Sequence, residues 1–410
     1  MVFSRPPLTI PGMTVAPIYF DCHATTPCDP RVVEAMAPTF SEDFGNAASR
    51  QHVFGWRAES LVEAARRQVA RLIECDPREV IFTSGATEAD NLAVRGVAMA
   101  PTTKGRHIVT CVTEHKAVLD PCQQLESRGF RVTYLPVRGD GRVRVEDVER
   151  AVTPETALVS IMYANNEIGT VHPVPEIGRL LKKKRVLFHC DAVQALPHLP
   201  CQVDELGADL LSLSAHKMYG PKGVGALYVR RRQPRVRLEP VILGGGHERG
   251  LRSGTLNVPG VVGFGRACEI VASEREGAAK RLAVLRNRLL EKLRDELPEM
   301  IINGVAPEHM NEHRLPNNLN VTFPGVNAEH LLKALGGVAV ASGSACSTAV
   351  ADSSYVLRCL DKPEPKEFGG VRIGLGRFNT SEEVDRAAEE ITTTVKRLRA
   401  APPSTSTRCD

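Results

Sequence analysis

Four runs decide the fold: Ala157-Leu158-Val159-Ser160-Ile161-Met162, Val186-Leu187-Phe188-His189, Leu210-Leu211-Ser212-Leu213 and Gly225-Ala226-Leu227-Tyr228-Val229. Each is short, aliphatic and rich in strand formers, as a strand covered on both faces must be. Val80-Ile81-Phe82 and His107-Ile108-Val109 upstream read the same way. Amphipathic helices lie between such runs. Trp56 to Glu74 places Leu61, Ala65, Val69 and Leu72 on one face, and Lys182-Lys183-Lys184-Arg185 closes another helix, where the dipole favours positive charge. Strand and helix alternate from about residue 55 to 290, which predicts an α/β fold with a largely parallel sheet.

The pattern changes after a helix expected around Lys280 to Glu296. Asn318-Leu319-Asn320-Val321-Thr322-Phe323 and Val371-Arg372-Ile373-Gly374-Leu375 read as strands of a smaller α+β lobe. Thr380-Ser381-Glu382-Glu383 is a capping box, and Val384, Ala388, Ile391, Val395 and Leu398 form the stripe of the helix it opens. The expected division is a large domain over 27–275 and a small domain from 1–26 and 276–398. A tail over 399–410, rich in Pro, Ser and Thr, is expected to be disordered.

Composition excludes several classes. The chain of 410 residues is 42% hydrophobic and carries 52 basic against 48 acidic residues. So even a balance gives no footprint for nucleic acid. No apolar stretch is long enough to span a membrane, and Met1 to Tyr19 has Arg5 and four prolines where an export signal would be apolar. Eleven scattered cysteines without a C-x-x-C pair argue for reduced thiols in a cytoplasm-like compartment, with no metal site.

In open α/β sheets ligands bind beyond the carboxyl ends of the strands, so the residues just after each strand mark the site. Ser84-Gly85-Ala86-Thr87-Glu88 opens a helix with small residues that let backbone N–H groups approach a phosphate, or is simply a good helix cap. Thr113-Glu114-His115-Lys116 offers a histidine able to stack on a ring or shuttle protons. Asn165-Asn166-Glu167-Ile168-Gly169 can be a turn and no more. Asp191 ends an otherwise apolar strand, where a carboxylate needs a cationic partner; a protonated pyridine nitrogen is one. Ser214-Ala215-His216-Lys217 sets a lysine beside hydroxyls and a histidine, a setting that makes an amine nucleophilic. Schiff-base lysine, pyridine carboxylate and phosphate cup together are what pyridoxal phosphate requires of a protein. Gly220-Pro221-Lys222-Gly223 lacks the spacing of a nucleotide phosphate loop.

These motifs, with Tyr19-Phe20-Asp21, Ala24-Thr25-Thr26-Pro27, Gly244-Gly245-Gly246-His247-Glu248-Arg249-Gly250, Arg252-Ser253-Gly254-Thr255 and Ser342-Gly343-Ser344-Ala345-Cys346, resemble the cysteine desulfurases of the NifS/IscS type, in order from about residue 17 to 398. The resemblance implies a fold-type-I pyridoxal-phosphate transferase of the class V aminotransferase group. Its large domain would hold a mostly parallel seven-stranded sheet, and the active form would be a homodimer. It implies Lys217 as the Schiff-base lysine, Asp191 as the pyridine partner, Gln194 on the phenolic oxygen and His115 as the stacking acid–base group. It further implies Ala86, Thr87, Ser214 and His216 as phosphate binders and Asn166 as an amide beside cofactor and substrate. Thr255 would be a phosphate ligand from the other subunit, Arg372 the clamp on the substrate carboxylate, and Cys346 the persulfide cysteine. Cys346 lies in a run of Ser, Gly, Ala and Thr from Ala341 to Ser354, with Val350 its sole apolar anchor, an unusual place for a packing cysteine.

The implied reaction takes L-cysteine to L-alanine and passes the sulfur to an acceptor protein, such as an iron–sulfur scaffold. Selenocysteine lysis and a class V transamination are the alternatives on the same fold. A sulfur-relay scaffold without catalysis is disfavoured by the intact Lys217, Asp191, His115, Arg372 and Cys346.

Overall fold

The computed structural model describes residues 17–342, 354–360 and 369–400. A short strand, β1 (Ile18–Tyr19), precedes the large sheet. That sheet comprises β2 (Val80–Thr83), β3 (His107–Cys111), β4 (Arg131–Leu135), β5 (Thr156–Ser160), β6 (Leu187–Asp191), β7 (Leu210–Ser214) and β8 (Gly225–Val229). Their order is β2-β8-β7-β6-β5-β3-β4. Only β8 runs against the others, antiparallel to both β2 and β7. The stretch between Ser214 and Gly225 is too short for a helical crossover, so β8 can only return antiparallel.

Side chains alternate across the sheet. Ile108 and Leu158 join one buried cluster, whereas their chain neighbours Val109 and Val159 join another on the opposite face. Helices Ala86–Met99 and Lys116–Glu126 cover the first face, and Val53–Ile73 packs on the second. The expected α/β class and mostly parallel seven-stranded sheet are both found.

β4 was not anticipated. It is the edge strand: Arg131 is exposed and Val132, Thr133 and Tyr134 are half-buried, so it lacks the continuous apolar run of the inner strands. The helix expected around Lys280 to Glu296 is the second half of one helix, Val258–Glu296. Its first half buries Val261, Phe264 and Ile270 in the large core, and its second half buries Leu285, Leu289 and Leu293 in a separate core. At 1.5 Å per residue this helix is roughly 58 Å long. The intervening stretch from Ser273 to Lys280 touches neither core, which breaks the apolar pattern in sequence without breaking the helix.

Around the second core lies a small antiparallel sheet of β9 (Ile301–Ile302), β10 (Asn318–Thr322), β12 (Ala341–Ser342) and β13 (Val371–Gly374), in the order β12-β13-β10-β9. Between β10 and β12 the short β11 (Val338–Ala339) pairs with β1. The last helix, Ser381–Ala400, starts at the expected capping box: the Glu383 amide donates to Thr380 Oγ1 and the Thr380 amide to Glu383 Oε2, both at 3.2 Å. Arg399 and Ala400, expected to begin the disordered tail, are instead the last residues of this helix; the rest of the expected tail, 401–410, lies outside the described residues. Among the described residues no helix is long and apolar enough to cross a membrane.

Candidate active site

The chain leaves β3 toward β4 on one side and leaves β5 toward β6 on the other, so a crevice opens at the carboxyl ends of β3 and β5. A cavity of about 580 Å³ occupies this position. Ala86, Thr87, His115, Asn166, Asp191, Gln194, Ser214, His216, Lys217 and Arg372 all line it. Thr255 does not; it is exposed on the surface. Cys346 lies outside the described residues.

Helix Ala86–Met99 begins at the cavity with no side chain capping it. Gly85 precedes it at φ +155°, and a Cβ there would meet nothing within 4 Å, so the amides face open space. Behind the cup the backbones are tight: a Cβ on Gly225 would lie 2.8 Å from Gly85 Cα. Exposed amide donors at a helix start make an anion cradle.

Asp191 closes β6 with 7% exposure, and one of its oxygens accepts from the Val193 amide at 2.9 Å. Burial raises its carboxyl above the ordinary range, opposed by the Val193 amide and by nearby His115 and Lys217. Lys217 Nζ donates to the carbonyls of His23 and Ala24 at 2.6 and 2.7 Å. His115 caps helix Lys116–Glu126, its Nδ1 accepting from the Ala117 amide at 3.1 Å, so the neutral ring carries its proton on Nε2. Burial depresses its pKa, with Lys217 adding to the effect and Asp191 opposing it.

His216 is held by Thr25 Oγ1 at 3.1 Å, and burial followed by Lys217 and Lys222 lowers its pKa to about 4. It is a neutral ring near neutral pH. Among the described residues Asn166 Oδ1 is buried without a hydrogen-bond partner. Arg372, on β13, has a side chain only 4% exposed. Its Nη2 donates to Asp21 at 2.8 Å and its Nη1 to the Asn166 carbonyl at 3.2 Å. Its Nε is buried without a partner among the described residues.

Sequence reasoning missed the groups that brace this set. His23 is fully buried and neutral, its pKa lowered to about 3 chiefly by burial. Its Nδ1 donates to Gln194 Oε1 at 2.9 Å and its Nε2 accepts from Asn318 Nδ2 at 3.0 Å. Gln194 Nε2 returns a bond to the His23 carbonyl at 3.0 Å, which leaves it one further N–H. Asp90 also lines the cavity, and burial and then the Asp191 charge raise its carboxyl well above the usual range. One acid on the otherwise apolar helix face of Ala89, Leu92, Ala93 and Val97 was the available signal for Asp90. None existed for His23.

The class-V aminotransferase family model matches residues 18–387. The chain belongs to the class-V aminotransferase family, in the branch of the cysteine desulfurases. The cysteine desulfurase IscS of Anaeromyxobacter dehalogenans (strain 2CP-C) is 54% identical over 387 residues, 94% of each chain. A solved NifS-like protein superposes with a TM-score of 0.85 at 40% identity, covering 93% of this chain and 100% of its own. A second, SspA in complex with cysteine, gives 0.76 at 35% identity over 88% of this chain and 100% of its own. Members of this family are pyridoxal-phosphate enzymes.

Proposed function

We propose that this protein is a pyridoxal-phosphate-dependent cysteine desulfurase that releases L-alanine from L-cysteine and holds the sulfur as a persulfide on Cys346. The observation that carries the reading is the convergence of Lys217, Asp191, an uncapped helix start and a buried arginine in one cavity at the sheet's switch point. The residues fit the cofactor: an open glycine cradle for a phosphate, a buried carboxyl in need of a cation, and an unpartnered amide oxygen on Asn166. Ala86, Thr87, Ser214 and His216 would hold the phosphate, Asp191 the ring nitrogen and Gln194 the phenolic oxygen. When bound, the cofactor supplies an electron sink for bonds broken at the substrate's α-carbon.

The protein's own groups do the rest. Arg372 takes the substrate carboxylate with a fork that only planar guanidinium provides. Lys217 anchors the cofactor and moves the α-proton, its amine steered by the two carbonyls it now contacts. His115 offers its Nε2–H to the sulfur as a hydrogen-bond donor that steadies the thiolate, since its Nδ1 is committed to a helix amide. Cys346 as thiolate attacks the substrate sulfur. The balance closes without an outside oxidant: one protein thiol and one cysteine give one persulfide and one alanine.

A two-fold homodimer fits the reading, with Thr255 offered to the neighbouring subunit's phosphate. An apolar surface supports it: Phe40 is 66% and Trp56 54% exposed, and the exposed Phe44 and Phe54 rings lie 5.5 Å apart. The acceptor would be a protein such as an iron–sulfur scaffold, in a reducing, cytoplasm-like compartment suited to the free thiols of Cys28, Cys75, Cys111, Cys122, Cys190, Cys201 and Cys268.

Cys346→Ser tests the reading. The variant should bind cofactor and cysteine as the parent does, while alanine and persulfide fall together to background. Alanine release at the parent rate would remove Cys346 from the mechanism.

A further inference from the structure

The segment that carries Cys346 runs between Ser342 and Ser354, and both ends are fixed beside Arg372. Ser342 pairs with Val371, the residue before Arg372 in β13. Ser354 is buried, and its hydroxyl donates to the side chain of Glu167. Glu167 directly follows Asn166, whose carbonyl holds Arg372 Nη1. Its own carbonyl is gripped by Asn318 and Asn320 of β10, each at 3.1 Å, and its amide by Asn165 Oδ1 at 2.8 Å. The Glu167 backbone is therefore rigid, and the residue is 2% exposed, a place where a charge on its carboxyl costs free energy.

Ser354 passes this rigidity on. Its hydroxyl also accepts the Leu357 amide at 3.2 Å, capping helix Tyr355–Cys359. The next residue, Tyr355, donates its hydroxyl to the Glu114 carbonyl at 2.5 Å, and Lys116 Nζ sits 5.0 Å over its ring. Glu114 and Lys116 flank His115 in the chain, so the same foot is bound to the loops of two groups lining the cavity.

We propose that Glu167 is a positioning residue for sulfur transfer, anchoring through Ser354 the C-terminal end of the segment that bears Cys346. This rests on the function proposed above and assigns Glu167 no contact with substrate. Glu167 sets where the segment ends relative to Arg372, hence how often the thiol meets a sulfur held by that arginine. Misplacement of a reacting group by about 1 Å can cost on the order of a hundredfold in rate.

The test compares Glu167→Ala, Glu167→Gln and Ser354→Ala in the cofactor-loaded protein. Glu167→Ala and Ser354→Ala should each lower kcat for alanine formation by about tenfold or more. KM and the spectral change on adding cysteine should stay as in the parent. Glu167→Gln keeps an acceptor for the Ser354 hydroxyl and should retain kcat within about threefold. The double alanine variant should be no slower than either single one, because both remove one link. Hydrogen exchange at the Leu357 and Arg358 amides should quicken in both alanine variants and not in the glutamine one, a readout independent of turnover. Parent kcat with parent exchange in Ser354→Ala overturns the proposal even if Glu167→Ala fails to fold. An unmodified protein that makes no alanine from cysteine instead sinks the functional reading, while the exchange data still judge the anchor.

Discussion

Glu248 offers a sharp stability test. It sits in the glycine-rich loop before Thr255, at φ +48°, and its carboxylate meets Arg66 through two bonds of 2.7 Å. The Arg66 and Glu248 side chains are 4% and 2% exposed, and the Phe82 amide donates to the same carboxylate at 2.8 Å. Glu248→Ala strands a buried guanidinium and an amide of β2 together, leaving Arg66, among the described residues, hydrogen bonds to Glu63 and the Val80 carbonyl and the face of the Phe82 ring. Breaking such a pair from one side costs about 3–5 kcal/mol. Unfolding entropy near 2.1 cal/mol/K per residue gives about 0.9 kcal/mol/K for 410 residues, so the melting temperature should fall by about 4–6 °C. Replacing both partners, Arg66→Met with Glu248→Leu, removes the orphaned charge and should recover most of that loss. The assay is thermal unfolding of the cofactor-loaded protein at one concentration. If Glu248→Ala melts within 1 °C of the parent, or the double variant melts at the sum of the single losses, the buried-charge argument is wrong.

Other outcomes follow from the same contacts. Lys217→Ala should abolish the long-wavelength absorbance of a lysine-bound cofactor, and full absorbance would move the anchor to another lysine. The protein should sediment as a dimer at micromolar concentration; a fully active monomer would refute the role given to Thr255. The Glu167 carboxyl is raised to about 7, chiefly by burial, from an ordinary 4.5. A raised carboxyl holds its proton in the native state, so its stabilising contribution is complete below pH 4.5 and lost as pH rises through about 7. Relative to Glu167→Gln, the parent should lose up to about 3 kcal/mol between pH 4.5 and 8, read from denaturation at each pH. Parallel stability curves for the two proteins would contradict this.

The inner strands were legible because burial on both faces demands largely apolar runs, as in β5 to β8. At the edge that demand lapses, and β4 vanished into a mixed sequence. The cavity's rim was legible for the same reason: Lys217, Asp191 and His115 are polar residues set right after apolar runs. Their braces were not. His23 reaches Gln194 across 171 residues and Asn318 across 295, and Asp21 meets Arg372 across 351. No local pattern records such pairings, since the fold alone brings them together. The single long helix escaped for a third reason: its apolar stripe stops between two cores while its hydrogen bonds continue.

Those distant pairings set a timetable for biosynthesis. Asp21 and His23 lie near the start of the chain and Arg372 near its end, and the Cys22 amide meets the Gly374 carbonyl at 3.0 Å. A nascent chain that has emerged only through β8 already owns Lys217, Asp191 and the glycine cradle, yet neither the arginine nor the asparagines of β10 that steady its first residues. On the role proposed for Arg372, capture of the substrate carboxylate would therefore wait until a residue 351 positions after Asp21 has left the ribosome, and a product cut short before β13 would lack that arginine.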